Sequence, residues 1–253
     1  MSALFPMPDR PAKPRSSGLT HVLDSGLGEL EVQSLLALGA AHIDLVRLGW
    51  GSAVVTSCLE RKLALYRAAD IPVMLGGTLT ELAWAHGRVD ELVAWVVDLG
   101  IDRIEVSSGT IAIPPDEKAR LIEQLAQRMT VYAEVGEKDP DAVMAPYAWV
   151  DLIRQAFDAG ADLVVCEGRA SGTAGLYRGT SELRTGLVEE IAHVVGLERL
   201  VFEAPLLPQQ AWFINRFGPE INLGNIPSGD IVSLESLRLG LRSETVAKLH
   251  PVP

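Results

Sequence analysis

Five acidic residues stand where buried apolar runs end, and their positions point to chemistry at a shared rim. They are Asp24, Glu105, Glu134, Glu167 and Glu203. Any one of them is better explained as a helix cap or as the partner of a surface lysine. Five are harder to explain in that way, because crowded carboxylates repel and raise one another's pKa unless a cation lies among them. The cluster predicts a hard divalent ion, with magnesium as the best fit and manganese as the alternative.

Basic residues lie at or just past the same strand ends. Arg47, Lys138 and Arg169 are expected to neutralise the acids or to bind an anionic substrate, and Arg178 is a weaker candidate. Arg47 and Arg169 are embedded among glycines and apolar residues, whereas Arg178 and Arg184 fit solvated surface positions. The rim is therefore expected to carry both signs of charge.

Glycine-rich turns leave backbone N–H groups free to approach an anion closely. Isolated glycines are weak evidence, because sharp turns between strands and helices require them. The last turn carries more weight, since (β/α)8 barrels often hold phosphate after strands seven and eight. The candidate substrate- or phosphate-binding residues in these turns are Gly51, Ser52, Gly77, Thr78, Gly224 and Asn225.

Several familiar motifs are absent from the sequence. It contains no GxSxG, GxxxxGK[ST] or GxGxxG, so a nucleophile elbow, a P-loop and a dinucleotide fingerprint are not indicated. The five histidines show neither HxH nor HExxH spacing, and each fits a helix, loop or core position better than a zinc site. Cys166 fits a small buried residue that faces away from Glu167.

The elements that must position these residues repeat a strand–helix format. Apolar runs predict strands at 20–24, 42–47, 72–75, 103–106, 130–135, 162–166, 200–202 and 221–223, alternating with amphipathic helices. Eight such units favour a single-domain α/β fold, the (β/α)8 TIM barrel, over an open doubly wound sheet. In that fold the carboxyl ends of the strands form one rim, which is where active sites lie.

Composition bounds the domain and its partners. With 253 residues, of which 48% are apolar, the chain can bury one large core, which we expect to span residues 18–253. Residues 1–17 hold four prolines without a hydrophobic period and are predicted to form an extended arm. A net charge of -11 argues against nucleic acid, and no apolar run approaches the roughly 20 residues of a membrane span. We therefore expect a cytoplasmic protein that binds neither nucleic acid nor membrane.

Short motifs carry a resemblance to the phosphosulfolactate synthase family from residue 18 onward. The matching stretches include Gly18-Leu-Thr with Leu23-Asp24, Leu48-Gly-Trp-Gly-Ser52, Gly76-Gly-Thr-Leu-Thr-Glu81, Glu134-Val-Gly136, Glu167-Gly-Arg169, Phe202-Glu-Ala-Pro205 with Gln209-Gln210, Asn222-Leu-Gly-Asn-Ile226 and Leu234-Glu-Ser-Leu-Arg238. So many matches in one order support the barrel assignment over nearly the whole chain.

The resemblance implies a magnesium-dependent lyase that adds sulfite to phosphoenolpyruvate and so forms a phosphorylated sulfonate. It implies a metal near Glu105, Glu134 and Glu203, a small anionic carboxylate as substrate, and a homo-oligomer. It also places Gln210 in the substrate site and lets Arg169 and the strand-eight backbone hold an anionic group. The resemblance and the positions at the strand ends together give Asp24, Arg47, Lys138, Glu167 and Arg169 as the candidate catalytic residues.

The chain departs from the family pattern at charged positions. Typical members carry lysine where this chain has Ser25, Glu137 and Leu207, and Arg47 replaces a further lysine. Losing a single buried charge-assisted contact typically costs about 2 to 5 kcal/mol. These changes predict an altered substrate, a different or less highly charged carboxylate, for an addition or the reverse elimination.

A second interpretation is a non-catalytic relative, similar to the plant heat-stress-associated proteins of the family, that acts through binding or protein contacts. Such a protein has no reason to keep Glu105, Glu134, Glu167, Arg169 and Glu203 on one rim. We therefore favour an enzyme.

Overall fold

The computed structural model describes residues 6–139 and 143–251, and it confirms the predicted (β/α)8 barrel. Eight parallel strands pair in chain order, and the last closes the sheet on the first. The strands are β1 Thr20–Asp24, β2 Leu45–Leu48, β3 Val73–Leu75, β4 Arg103–Val106, β5 Thr130–Val135, β6 Leu163–Cys166, β7 Leu200–Glu203 and β8 Leu223–Pro227.

Helices surround the sheet. Among the described residues they are α1 Glu29–Gly39, α2 Ser52–Val55, α3 Leu59–Ala68, α4 Gly77–Ala85, α5 Val89–Asp98, α6 Pro115–Ala126, α7 Pro146–Asp158, α8 Thr185–Val195, α9 Leu207–Phe217, α10 Ile231–Arg238 and α11 Ser243–Leu249. Both α6 and α7 begin with proline, which suits the first helical position because its missing N–H would have no partner there. No described helix is both long and apolar enough to cross a bilayer.

Strand residues alternate between two buried layers. One set packs against the helices in the large core, as Leu48, Leu75 and Ile104 do. The other set fills the barrel interior, where Met74 and Val165 belong to a smaller apolar cluster. Because successive side chains on a strand point to opposite faces, this alternation decides which strand-end residues reach the barrel mouth.

The boundaries of two strands, β2 and β8, differ from the sequence prediction by more than one residue. Residues 40–42 form a turn of 3-10 helix, so β2 begins at Leu45. At the other end of the chain β8 begins at Leu223, so Gly224 and Asn225 lie within the strand and not in a loop after it. The side chain of Asn222 fixes this register, because it accepts from the Leu19 N–H at 3.0 Å and donates to the Leu200 carbonyl at 3.1 Å.

The segment before β1 lies against the amino-terminal end of the barrel. Arg10 Nε is 3.1 Å from Glu235, and Arg15 Nε is 3.0 Å from Asp44, which stands just before β2. Lys13 donates to the Ala40 carbonyl at 3.2 Å. These contacts hold the described part of the N-terminal arm across the barrel mouth opposite the predicted rim. The division at residue 17 between arm and barrel stays a prediction.

Candidate active site

A pocket of about 300 Å³ opens at the carboxyl ends of the strands. Nine of the residues predicted for the site line it together: Arg47, Gly77, Thr78, Glu105, Glu134, Lys138, Glu167, Arg169 and Asn225. They come from six different strand ends or the loops that follow, as the barrel fold requires. Glu203 is fully buried beside the pocket and reaches its lining through Arg47.

Arg47 lies at the centre of these acids. Its Nη1 is 2.7 Å from Glu105 Oε2 and 3.5 Å from Glu134 Oε2, and its Nη2 is 2.9 Å from Glu203 Oε1 and also donates to Asn225 Oδ1. Burial would lower the pKa of Arg47, but Glu105, Glu203 and Glu134 raise it above the ordinary range, so the guanidinium stays charged. Its two terminal nitrogens carry four N–H bonds, and these four acceptors use them all.

Three carboxylates form a compact acidic group. Glu134, Glu167 and Glu203 each place one oxygen so that all three lie within 4.8 Å of one another. The structure thus groups Glu167, predicted as catalytic, with two of the predicted metal ligands. Glu105 stands apart, because its oxygens are bound by Arg47 and by the Gly77 N–H at 2.8 Å.

The acidic group is compatible with a divalent metal. Glu167 Oε2 is buried and has no hydrogen-bond partner among the described residues. Buried polar atoms are nearly always paired, so this oxygen needs either a proton or a cation. Carboxylate oxygens are the ligands that hard divalent ions prefer, and the donor set therefore fits such an ion.

Glu134 and Glu167 titrate as a pair. Burial raises the pKa of Glu167 well above its ordinary value of 4.5, and the charges of Glu134 and Glu203 raise it further. Burial acts in the same direction on Glu134, but Lys138 and Arg47 outweigh it and hold the pKa of Glu134 down to about 2. These residues alone therefore favour the protonated form of Glu167. A bound cation would replace that proton.

Two further cations face the pocket from adjacent loops. Lys138 Nζ is 3.0 Å from Glu134 Oε1 and 3.8 Å from Glu167 Oε2. Although burial lowers the pKa of Lys138, Glu134 and Glu167 outweigh that effect and raise it, so the ammonium is suited to hold an anion and not to release a proton. Arg169 donates its backbone N–H to Glu167 at 2.6 Å and its Nη1 to the Lys138 carbonyl at 2.9 Å.

Three residues of the pocket adopt left-handed backbone conformations. The φ angles are 52° at Trp50, 58° at Arg169 and 56° at Asn225. None of these residues is glycine, so each conformation costs free energy that neighbouring contacts must offset. Strain of this kind concentrates at functional sites, and here it occurs at three points around one mouth.

The structure places Asp24 outside the pocket. Asp24 pairs with Leu48, and Leu48 pairs with Leu75, so it belongs to the row of side chains that faces the helices. Its carboxylate accepts from the Tyr66 hydroxyl at 2.9 Å and lies 2.8 Å from Lys62 Nζ. The neighbouring Leu23 lines the pocket instead. Asp24 therefore joins β1 to α3 and does not meet the other predicted catalytic residues.

Four residues predicted to bind substrate or phosphate also do not line the pocket. Gly51 and Ser52 begin the short helix α2 behind the lining residues Gly49 and Trp50. The buried Gln210 amide donates to the Ala204 carbonyl at 3.1 Å. Gly224 faces the barrel interior, where an added Cβ would come within 2.9 Å of Val201. Of the other predicted turn residues, Gly77 already donates its N–H to Glu105, and both Gly77 and Thr78 belong to the first turn of α4.

Two residues of the site were missed by sequence reasoning. Glu81 is fully buried on α4 and accepts from the backbone N–H groups of Gly109, Thr110 and Ile111 at 3.0, 2.9 and 2.6 Å. It thereby fixes the loop after β4, whose Thr110 lines the pocket. An acid within an otherwise apolar helix was the available signal.

The second missed residue, Lys118 on α6, supports the site from behind. It donates to the Glu134 carbonyl and lies 3.4 Å from the Ser108 hydroxyl, and burial lowers its pKa to about 8. No sequence signal pointed to it, because α6 reads as an ordinary amphipathic helix with a charged outer face.

Comparisons with known proteins agree with the geometry. A family model described as (2R)-phospho-3-sulfolactate synthase (ComA) matches residues 8–244. The phosphosulfolactate synthase of Methanothermobacter thermautotrophicus is 36% identical over 97% of this chain and 98% of its own length. The phosphosulfolactate synthase of Bacillus subtilis is also 36% identical, over 94% of this chain and 96% of its own length.

One distant sequence relative and one solved structure bear on the non-catalytic interpretation and on the fold. Protein HEAT-STRESS-ASSOCIATED 32 of Arabidopsis thaliana is 24% identical over 91% of this chain and 88% of its own length, so the non-catalytic interpretation is not favoured over the enzyme. The crystal structure of 3-keto-L-gulonate-6-phosphate decarboxylase from Vibrio cholerae superposes with a TM-score of 0.57 at 8% identity, covering 93% of this chain and 100% of that one. At that identity the likeness concerns the barrel fold alone.

Proposed function

This chain belongs to the (2R)-phospho-3-sulfolactate synthase family of carbon–sulfur bond-forming enzymes, and from that premise we propose a reaction for its pocket. The reaction is the addition of an anionic nucleophile to the unsaturated carbon of a small enol carboxylate, or the reverse elimination. The observation that carries the proposal is the buried group of Glu134, Glu167 and Glu203, which lies between Arg47 and Lys138 in the pocket.

We propose magnesium as the ion that this acidic group holds. Bound there, it would supply the positive charge that stabilises a substrate carboxylate as negative charge develops on it. The protein's own residues have separate tasks. Arg47 keeps Glu105 and Glu203 in place, Glu167 would hold the ion as a carboxylate with Glu134 and Glu203, and Lys138 and Arg169 hold the anionic groups of the substrate.

We further propose that the substrate carries less negative charge than the family pair of phosphoenolpyruvate and sulfite. The four N–H bonds of the Arg47 terminal nitrogens are already used by protein acceptors, so Lys138 and Arg169 are left to meet incoming anions. The chain has Ser25, Glu137 and Leu207 at three positions where the family resemblance implies lysine. Two protein cations and one metal ion provide too little positive charge to bind a carboxylate, a phosphate and a sulfite at the same time.

Turnover of phosphoenolpyruvate with sulfite is expected to be at least about 1,000-fold slower, in kcat/KM, than that of the Bacillus subtilis relative, because even two of the three lost charge-assisted contacts, at about 2 kcal/mol each, cost about 4 kcal/mol. Phosphorus NMR of the product under identical magnesium and pH conditions would measure it. Restoring the lysine with Glu137→Lys is expected to raise kcat/KM by about 30-fold. The matched variant Glu190→Lys makes the same charge change on the exposed face of α8 and should recover nothing.

Two outcomes would separate the parts of this proposal. A rate equal to that of the Bacillus subtilis enzyme would overturn the altered substrate and leave the reaction class intact. Failure of every phosphorylated, sulfonated and plain carboxylate to stabilise the protein or to be turned over would count against catalysis in this pocket.

Magnesium is expected to raise the melting temperature by about 5 to 10 °C at saturation, and by more at pH 8 than at pH 5.5. The folded-state pKa of Glu167 is raised, so the metal-free protein loses stability as pH rises from about 4.5 through that pKa. The ion favours the ionised carboxylate, so its stabilising effect grows over the same window. Calorimetry in EDTA and in magnesium chloride across this range measures both trends.

Glu167→Gln should remove both the pH trend and most of the magnesium effect. Glu105→Gln is the matched control and should keep most of the magnesium effect, because Glu105 lies in the same pocket but outside the acidic group. Equal magnesium shifts in the wild type and in Glu167→Gln would show that the ion binds elsewhere.

We also propose a cytoplasmic homo-oligomer. Apart from the family premise, support comes from exposed apolar side chains on neighbouring helices, such as Leu82 on α4 at 42% and Val97 on α5 at 52% exposure. Mass measurement in solution distinguishes a monomer from an oligomer.

A further inference from the structure

A second cavity, of about 450 Å³, opens at the opposite, amino-terminal mouth of the barrel. Residues 13–16 of the N-terminal arm form one wall, and Leu45, Tyr132 and Val201 form its apolar inner end. Among the described residues it shares no lining with the active-site pocket. Its size falls within the range of small-molecule sites, which is about 300 to 1,000 Å³.

His21 lines this cavity and is only 2% exposed. Neither of its ring nitrogens has a hydrogen-bond partner in the part of the chain that the structure describes. The barrel makes room for the ring at Gly224, where an added Cβ would lie 3.1 Å from Nδ1. Burial, together with the charge of Arg47, lowers the pKa of His21 well below 6.5. The neutral ring offers one donor and one acceptor.

The charges around the cavity balance one another. Arg15 is paired with Asp44 at 3.0 Å, and Arg103 with Asp102 at 2.6 Å. The bases that line the cavity are Lys13, Arg15, Arg103 and Arg199, and the acids are Asp44, Asp70, Asp162 and Glu198. Equal numbers of each sign give no net attraction for an ion of either sign.

We propose that the amino-terminal cavity binds a small, uncharged heteroaromatic molecule. Its ring packs against Tyr132, Leu45 and Val201, and one polar atom of the ligand pairs with Nε2 of His21, because Nδ1 lies against Gly224. A flat ring suits this lining because the inner end is apolar and carries one aromatic side chain. An uncharged ligand suits it because His21 is neutral and the rim is balanced. A carboxylate or an amidinium would lose its hydration in a cavity whose lining carries no net charge to offset that loss.

Benzimidazole tests the proposal, because it is flat, is uncharged at pH 8 and carries one donor and one acceptor. Saturation-transfer NMR on the full chain is expected to detect binding with a Kd near or below about 1 mM, and the ring C–H resonances of His21 are expected to shift on titration. Benzoate and benzamidine, of similar size but charged, should bind at least about tenfold more weakly.

Two variants locate the binding. His21→Phe is expected to weaken binding at least tenfold, since it removes the donor and acceptor while keeping a ring of similar size. Ser16→Trp narrows the cavity from an exposed position on the arm, so it tests the site even where His21→Phe folds poorly. Arg169→Ala, at the other mouth, should leave binding unchanged. Absence of saturation transfer, equal binding by the wild type and Ser16→Trp, or tighter binding of either charged analogue would overturn the proposal.

Discussion

Replacing Arg47 with methionine is expected to lower the free energy of unfolding by about 3 to 5 kcal/mol, which corresponds to a melting temperature lower by roughly 10 °C or more. The side chain is 8% exposed and lies between Glu105, Glu134 and Glu203. Without it, three buried carboxylates face one another around an apolar methionine. Burial already raises the pKa of Glu105 even with Arg47 present. Protonation of Glu105 is therefore expected to reduce the repulsion between the three carboxylates.

The loss of unfolding free energy in Arg47→Met should therefore depend on pH. In Arg47→Met the folded-state pKa values of these acids rise above the unfolded values, so the variant recovers stability as pH falls from 7 toward 5. Denaturant unfolding at several pH values measures this recovery. Arg47→Lys should lose less, because it keeps one positive charge but replaces a planar fork by a point charge with three donors.

Arg128→Met is the matched control, because Arg128 is 52% exposed and makes a long contact of 3.4 Å with Asp90. Exposed pairs of this kind contribute about 0 to 1 kcal/mol. If Arg47→Met were as stable as Arg128→Met at pH 7, the central role of Arg47 among the acids would be refuted.

The strand-end acids show what a sequence can reveal about this site. Glu105, Glu134 and Glu203 each stand between two apolar residues, as in Ile104-Glu105-Val106. Their apolar neighbours must face the helices, so the acid must face the barrel interior. Asp24 is the last residue of its strand and is followed by Ser25, so its local sequence leaves the facing open. The pairing with Leu48 decides it, and pairing between strands cannot be read from one strand alone.

The role of Arg47 depended on distances that the sequence does not contain. Its acidic partners Glu105, Glu134 and Glu203 lie 58, 87 and 156 positions further along the chain. Sequence reasoning placed a cation and several acids on one rim, and in the structure Arg47 contacts Glu105, Glu134 and Glu203 there. It could not distinguish an acidic group that surrounds an arginine from one that surrounds only a metal. The structure shows Arg47 among Glu105, Glu134 and Glu203, and a second acidic group compatible with a divalent ion, with Glu134 and Glu203 shared between them.

The last strand shows a different limit. Glycine and asparagine ordinarily indicate a turn, so Leu-Gly-Asn predicted the loop after β8. In the barrel, Gly224 is needed inside the strand because Val201 and His21 occupy the space of a side chain there. Asn225 turns its amide oxygen to Arg47 and adopts a φ of 56° to do so. Tertiary contacts therefore replaced local turn preference at both positions.

Lys138→Met is expected to lower kcat/KM by about 10² to 10³-fold for whichever carboxylate the wild type converts, a loss of roughly 3 to 4 kcal/mol. Lys138 is 20% exposed and borders the pocket, so a substrate anion can displace its contacts with Glu134 and Glu167. Lys248→Met on the exposed face of α11 is the matched control and should leave kcat/KM unchanged.

A second measurement on Lys138→Met requires no substrate. Lys138 and Arg47 hold the pKa of Glu134 at about 2, below its ordinary 4.5, so the stability that this gives the wild type is present above pH 4.5 and is lost as pH falls toward 2. Without Lys138 the pKa of Glu134 rises, so the variant should be less stable than the wild type at pH 7 and should lose less between pH 5 and pH 3. If the free energy of unfolding fell between pH 5 and pH 3 as much in Lys138→Met as in the wild type, Lys138 would not control the charge of Glu134. The pocket would then depend on Arg47 alone to keep Glu134 ionised.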